Sequence, residues 1–235
     1  MEQKKFGISG STLKLIAVIS MLIDHTAATV IRSMLISPAF SSPDTQQTLR
    51  MIYSVSRDIG RLAFPIFCFL LVEGFLHTRN PKKYAGRLFL FALISEIPFD
   101  LALQNGWFDP DKQNVYFTLL IGLLVLMGLS YFREKPWMQL PIMAAGMVIS
   151  WLIDCDYNYK GVFLIIVLYL LRQTRLYQCI GGAAAVTWEL PAPLGFIPVY
   201  FYNGRRGLSM KYFFYWFYPV HLLILYVLSE LVQRL

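Results

Sequence analysis

At 235 residues, with 57% hydrophobic and 16% aromatic side chains against only 15% charged, this chain carries more apolar surface than one soluble core could bury. That excludes an ordinary soluble domain and points to an all-α, polytopic integral membrane bundle. The net charge of +7 does not require a nucleic acid partner, because cations gathered on cytoplasmic connections account for it.

The first expected span is Thr12–Met34, containing "LIAVISMLIDHTAATVI". Its basic start and apolar run imitate a secretory signal, but Asp24 and His25 stand where such a segment stays small and apolar. The span is therefore expected to be retained. Next comes a polar outer connection over 37–56, then spans Arg57–His77, Tyr84–Leu103, Val115–Tyr131 and Trp137–Ile153. Shorter apolar stretches follow at Gly161–Leu171, Leu176–Leu190 and Ala192–Tyr202. The last pair is interrupted by Pro191, Pro193 and Pro198, which leaves two short helices or one bent hairpin open. Lys211–Val232 closes the chain. The expected total is about nine segments in a single domain over 1–235, with no internal repeat.

Of the 21 cations, this layout puts 13 on the side of the N-terminus and 6 on the opposite side. The asymmetry predicts a cytoplasmic N-terminus in a multi-pass protein of the cell membrane. Cys68, Cys155 and Cys179 are too widely spaced to suggest a disulfide framework or a metal site.

An aspartate inside a span costs roughly 2.5–3.5 kcal/mol on insertion scales, so Asp24 and His25 need a reason to be there. Adjacent helical residues diverge by about 100° around the axis, so each is expected to take its partner from another helix. Arg57 and Arg61 share a helix face, as do Glu96 and Asp100. Matched depth across an antiparallel hairpin predicts Arg61–Glu96 and Arg57–Asp100 pairs. Asn114 and Tyr116 open the fourth span as a helix cap or as substrate-binding groups. His221 reads as a packing residue beside Pro219, and Glu73 and His77 read as partners of each other. On the inner side, "HTRNPKKYAGR" and "NGRRGLSMK" contribute Arg79, Lys82, Lys83, Arg87, Arg205, Arg206 and Lys211. Orientation alone explains them, and they would equally grip a phosphorylated cytosolic ligand.

Five stretches, "STLKLIAVISMLIDHTA", "RLAFPIFCFLLVEGF", "KKYAGRLFLFALISEIPFDL", "QNVYFTLLIGLL" and "KYFFYWFYPVHLLIL", resemble the TraX family, which lies within or close to the wider transmembrane acyltransferase group. The likeness runs from about Ser11 to Glu230 and is densest in the first half. It implies a bacterial inner-membrane acetyltransferase with acetyl-CoA (acyl-CoA) as donor. The family's acceptor is the N-terminus of conjugative pilin, and relatives in the wider group modify sugars. By the same resemblance His25 is the catalytic histidine, Asp24 matches the family pattern, and Arg79 and Arg87 belong to the basic segment after Gly74-Phe75. On chemical grounds Arg61, Asn114 or Tyr116 would stabilise a developing oxyanion, with Glu96 beside them. The residues alone also allow a proton-coupled transporter or flippase, or a scaffold for a secretion assembly.

Overall fold

The computed structural model describes residues 7–104, 106–208 and 211–235, with the backbone only for Lys211. Among these residues it is helical without strands. The principal elements are α1 (Gly10–Thr26), α2 (Arg32–Ile36), α3 (Pro43–Gly60), α4 (Ala63–His77), α5 (Pro81–Phe99), α6 (Val115–Tyr131), α7 (Pro136–Leu152), α8 (Asn158–Leu170), α9 (Arg175–Ala185), α10 (Phe196–Tyr200) and α11 (Lys211–Gln233). Two π-helical turns interrupt the pattern, Ala27–Ile31 between α1 and α2, and Asp100–Gln104 after α5.

Local chemistry sets the helix starts. Pro43, Pro81 and Pro136 occupy first-turn positions where the missing N–H costs nothing. The side chains of Ser42, Asn80 and Asn114 accept from backbone N–H groups of the turns they precede. At the start of α1 the N–H groups of Gly10 and Ser11 donate to the carbonyls of Arg205 and Arg206, at 2.8 and 2.9 Å. This basic connection therefore closes over α1, and Gly207 makes its turn at φ +70.

Gly10–Ile36, Pro43–His77 and Tyr212–Gln233 are long and apolar enough to cross a membrane. Val115–Tyr131, Pro136–Leu152 and Asn158–Leu170 are shorter apolar helices. Side chains such as Phe69, Ile66, Leu123, Leu126, Leu164 and Leu168 from α4, α6 and α8 are wholly enclosed. Ile19, Leu93, Ile149 and Val227 point outward, an apolar exterior that suits lipid contact.

Two expectations change. The 37–56 stretch is not an irregular loop, since most of it is α3, an amphipathic helix running back along α1. Gln46 fastens the intervening turn by donating to the carbonyls of Leu35 and Phe40. Between 176 and 202, α9 has 11 residues and α10 only 5. At 1.5 Å per residue neither reaches the roughly 30 Å of a bilayer core. They pack on each other as a hairpin, with Glu189 at its tip.

Candidate active site

His25 sits in the last turn of α1 and meets His221 of α11, with His25 Nδ1 2.7 Å from His221 Nε2. The two rings are nearly parallel, 8° apart with centroids at 5.0 Å, and Tyr218 presents its edge to His25 at 6.0 Å. His221 Nδ1 is 2.7 Å from the Phe217 carbonyl. A carbonyl only accepts, so the neutral His221 ring must carry its proton on Nδ1 and leave Nε2 bare. His25 then donates from Nδ1, which leaves the lone pair of His25 on Nε2. The hydrogen-bond chain thus fixes which nitrogen of His25 can act as a base. The His25 side chain is 13% exposed, so the ring is enclosed without being sealed.

Asp24 Oδ2 lies 4.0 Å from His25 Nε2, beyond hydrogen-bond length. The same oxygen accepts from Arg57 Nη1 at 2.7 Å. Gly60 makes this approach possible, because a Cβ at that position would overlap Asp24. Arg61 pairs instead with Glu189 at the hairpin tip. The expected Arg61–Glu96 and Arg57–Asp100 pairs therefore do not form. The reason is packing: α3, which carries Arg57 and has Arg61 as its C-cap, lies on α1, whereas α5 lies on α6 and α11.

Glu96 is held by the Asn114 amide, which also donates to the Ala92 carbonyl at 2.8 Å. The Asn114 side-chain oxygen caps α6 through the Tyr116 N–H. Pro219 leaves the Tyr215 carbonyl without its helical donor, and the Tyr116 hydroxyl fills that vacancy at 3.2 Å. Asn114 and Tyr116 thus tie α6 to α5 and α11, and Tyr116 reaches the histidines only through the ring of Tyr218, at 5.2 Å. Glu73 and His77 meet as expected, with His77 Nδ1 2.8 Å from the Glu73 carbonyl and 4.0 Å from its carboxylate, and the other carboxylate oxygen lies 3.4 Å from Arg175.

The basic residues gather at the opposite end of the bundle from the 37–42 turn. Arg79, Lys82 and Lys83 are exposed beside the start of α5, and Arg205 and Arg206 are exposed over the start of α1. Arg87 is half-buried against Tyr84, with a buried Nε that has no hydrogen-bond partner. The side chain of Lys211 lies outside the described residues.

The sequence reading missed the role of His221. A signal was present, because the chain has three histidines and only His25 and His221 lie deep within expected spans.

A helical, membrane-compatible bundle with a paired imidazole in its interior defines the class. The chain belongs to the TraX protein family, which matches residues 9–229. It is also similar to the probable fimbrial assembly protein FimC, serogroup H1, of Dichelobacter nodosus, at 31% identity over 252 residues, covering 94% of this chain and 96% of the relative. No solved structure matches.

Proposed function

We propose that the chain is a multi-pass acetyltransferase of the cytoplasmic membrane, with its N-terminus inside. It moves an acetyl group from cytosolic acetyl-CoA to an amine or hydroxyl presented from the outer side. The observation that carries this reading is the His25–His221 pair, which leaves one imidazole nitrogen unprotonated deep in the bundle. His25 Nε2 takes the proton of the attacking N–H or O–H as the new bond to the acyl carbon forms. The C–S bond then breaks, and the imidazolium returns a proton to the departing thiolate. Asp24, held by Arg57, stands at ion-pair distance from the imidazolium that forms between these steps.

The cations at the N-terminal end suit the phosphates of the donor: Arg79, Lys82, Lys83, Arg87, Arg205, Arg206 and Lys211. Among the described side chains Arg87 is the half-buried one of them, its guanidinium meeting Tyr215 and the ring of Tyr84. Arg61, Asn114 and Tyr116 already have partners, so oxyanion stabilisation is assigned to none of them. The relative's connection with fimbrial assembly makes a pilin-like N-terminus the first acceptor to try, ahead of a sugar.

The test is incubation of purified protein in liposomes with radiolabelled acetyl-CoA and candidate acceptors. Label appearing in an acceptor, or release of free CoA, supports the proposal. Solute flux across the liposomes with no use of acetyl-CoA would favour the transporter reading instead.

A further inference from the structure

Two residues beyond His25, the α-helical ladder gives way to the π-helical turn Ala27–Ile31, and the Thr29 hydroxyl donates back to the His25 carbonyl at 2.6 Å. The second π-helical turn, Asp100–Gln104, packs against the first. Single π turns are uncommon and concentrate where a helix has been widened for function. Between these two turns and the last part of α11 lies a pocket of about 310 Å³. This volume is at the small end of ligand sites, which suits a head group and not an extended ligand.

The walls are polar. Ser33 accepts from Gln233 Nε2 at 3.1 Å, joining α2 to α11 across the pocket's edge. Arg32, an exposed residue of α2, and Glu230, half-buried on α11, both line it. Among the described residues neither charge has an ion-pair partner, although they are opposite in sign and line the same space. Nearby, Asp24 pairs with Arg57 and Glu189 with Arg61, while Asp100 in the adjoining π-helical turn is buried and accepts from the Asp109 N–H at 3.0 Å. Two opposite charges kept apart across one small polar cavity are complementary to a ligand that carries both signs. Trp107 and Tyr226 add aromatic surface, with Trp107 77% exposed at the rim. The adjoining α11 face, with Ile224, Val227, Leu228 and Leu231 exposed, gives the pocket a lipid side.

We propose that this pocket binds a zwitterion bearing a primary ammonium and an anionic group, the ammonium on Glu230 and the anion on Arg32. Phosphoethanolamine is the simplest ligand of this class, either free or as the head group of a phospholipid. The proposal does not depend on the transfer chemistry, and its test needs no turnover.

The full chain in detergent is titrated calorimetrically with phosphoethanolamine and with phosphocholine, whose quaternary nitrogen cannot donate to a carboxylate. The same chain in nanodiscs is examined by native mass spectrometry for retained phosphatidylethanolamine against phosphatidylcholine and phosphatidylglycerol. Preference for the primary amine in either arm supports the proposal, and the arm that shows it identifies the source. Glu230→Gln and Arg32→Gln should each weaken that binding by about tenfold, the loss of one charge-assisted bond. His25→Ala should leave it unchanged. The wild-type comparison stands even where a variant fails to fold. Equal treatment of all head groups, or no binding in either arm, would overturn the proposal.

Discussion

Arg57→Met should destabilise the protein, and Asp24→Asn should restore much of the loss. Arg57 Nη1 and Asp24 Oδ2 are 2.7 Å apart, with the side chains 32% and 18% exposed. Removing one partner of a fully buried pair costs roughly 3–5 kcal/mol, because the other charge is left uncompensated. The residual exposure here screens the charges, so the expected cost is about 2 kcal/mol. At roughly 2–4 °C per kcal/mol for a chain of this size, the unfolding midpoint falls by about 4–8 °C. Asp24→Asn in the Arg57→Met background removes the stranded charge and should recover at least half of that fall. The three free cysteines are all buried, so a thiol-reactive fluorophore reports unfolding directly. An Arg57→Met midpoint within about 1 °C of wild type, or a double variant no more stable than the single one, would refute the reasoning.

Other consequences follow from the same geometry. Gly60→Ala puts a methyl group into Asp24 and should cost about 1–3 kcal/mol by overpacking, seen in the same thiol assay. His221→Leu removes the acceptor that fixes the His25 tautomer, so kcat for acetyl transfer should fall at least about tenfold with little change in the KM for acetyl-CoA. His221→Gln, which keeps an accepting oxygen, should retain more of that activity. Asp156, in the connection before α8, has its carboxyl pushed up from its usual range by burial, with the charge of Lys112 opposing. The folded state therefore favours the protonated form, and this contribution is lost as pH rises through the raised value. Asp156→Asn should raise the unfolding midpoint at pH 8 by more than at about pH 4, the ordinary carboxylate value, as followed by tryptophan fluorescence; an equal shift at both would count against it.

Much of the fold could be read directly, because a membrane helix announces itself by length and apolarity. Val115–Tyr131 has the boundaries the sequence predicts, and most other helices start within a few residues of theirs. The polar 37–56 stretch was harder, since α3 is amphipathic; Met51, Ile52, Val55 and Ile59 repeat at helical spacing inside a segment too polar to resemble a span. Residues of the candidate site could be picked out as intramembrane charges, as with Asp24, His25, Arg57 and Arg61. Their partners were not legible, because depth along a helix can be counted from sequence while the identity of the facing helix cannot. Arg57 reached Asp24 and not Asp100 for that reason, and His221 arrived beside His25 from 196 residues away. The π-helical turns gave no sequence signal at all, since they depend on how α1 and α5 meet α11.

The central claim is that His25 Nε2 removes the acceptor's proton. Its most direct test is the rate of acetyl transfer from labelled acetyl-CoA by purified His25→Ala in liposomes, at saturating donor and normalised to folded protein. A fall of at least about a hundredfold is predicted, the lower bound of a general base's usual contribution, with donor binding preserved. A rate within about twofold of wild type, well inside that bound, would contradict the account.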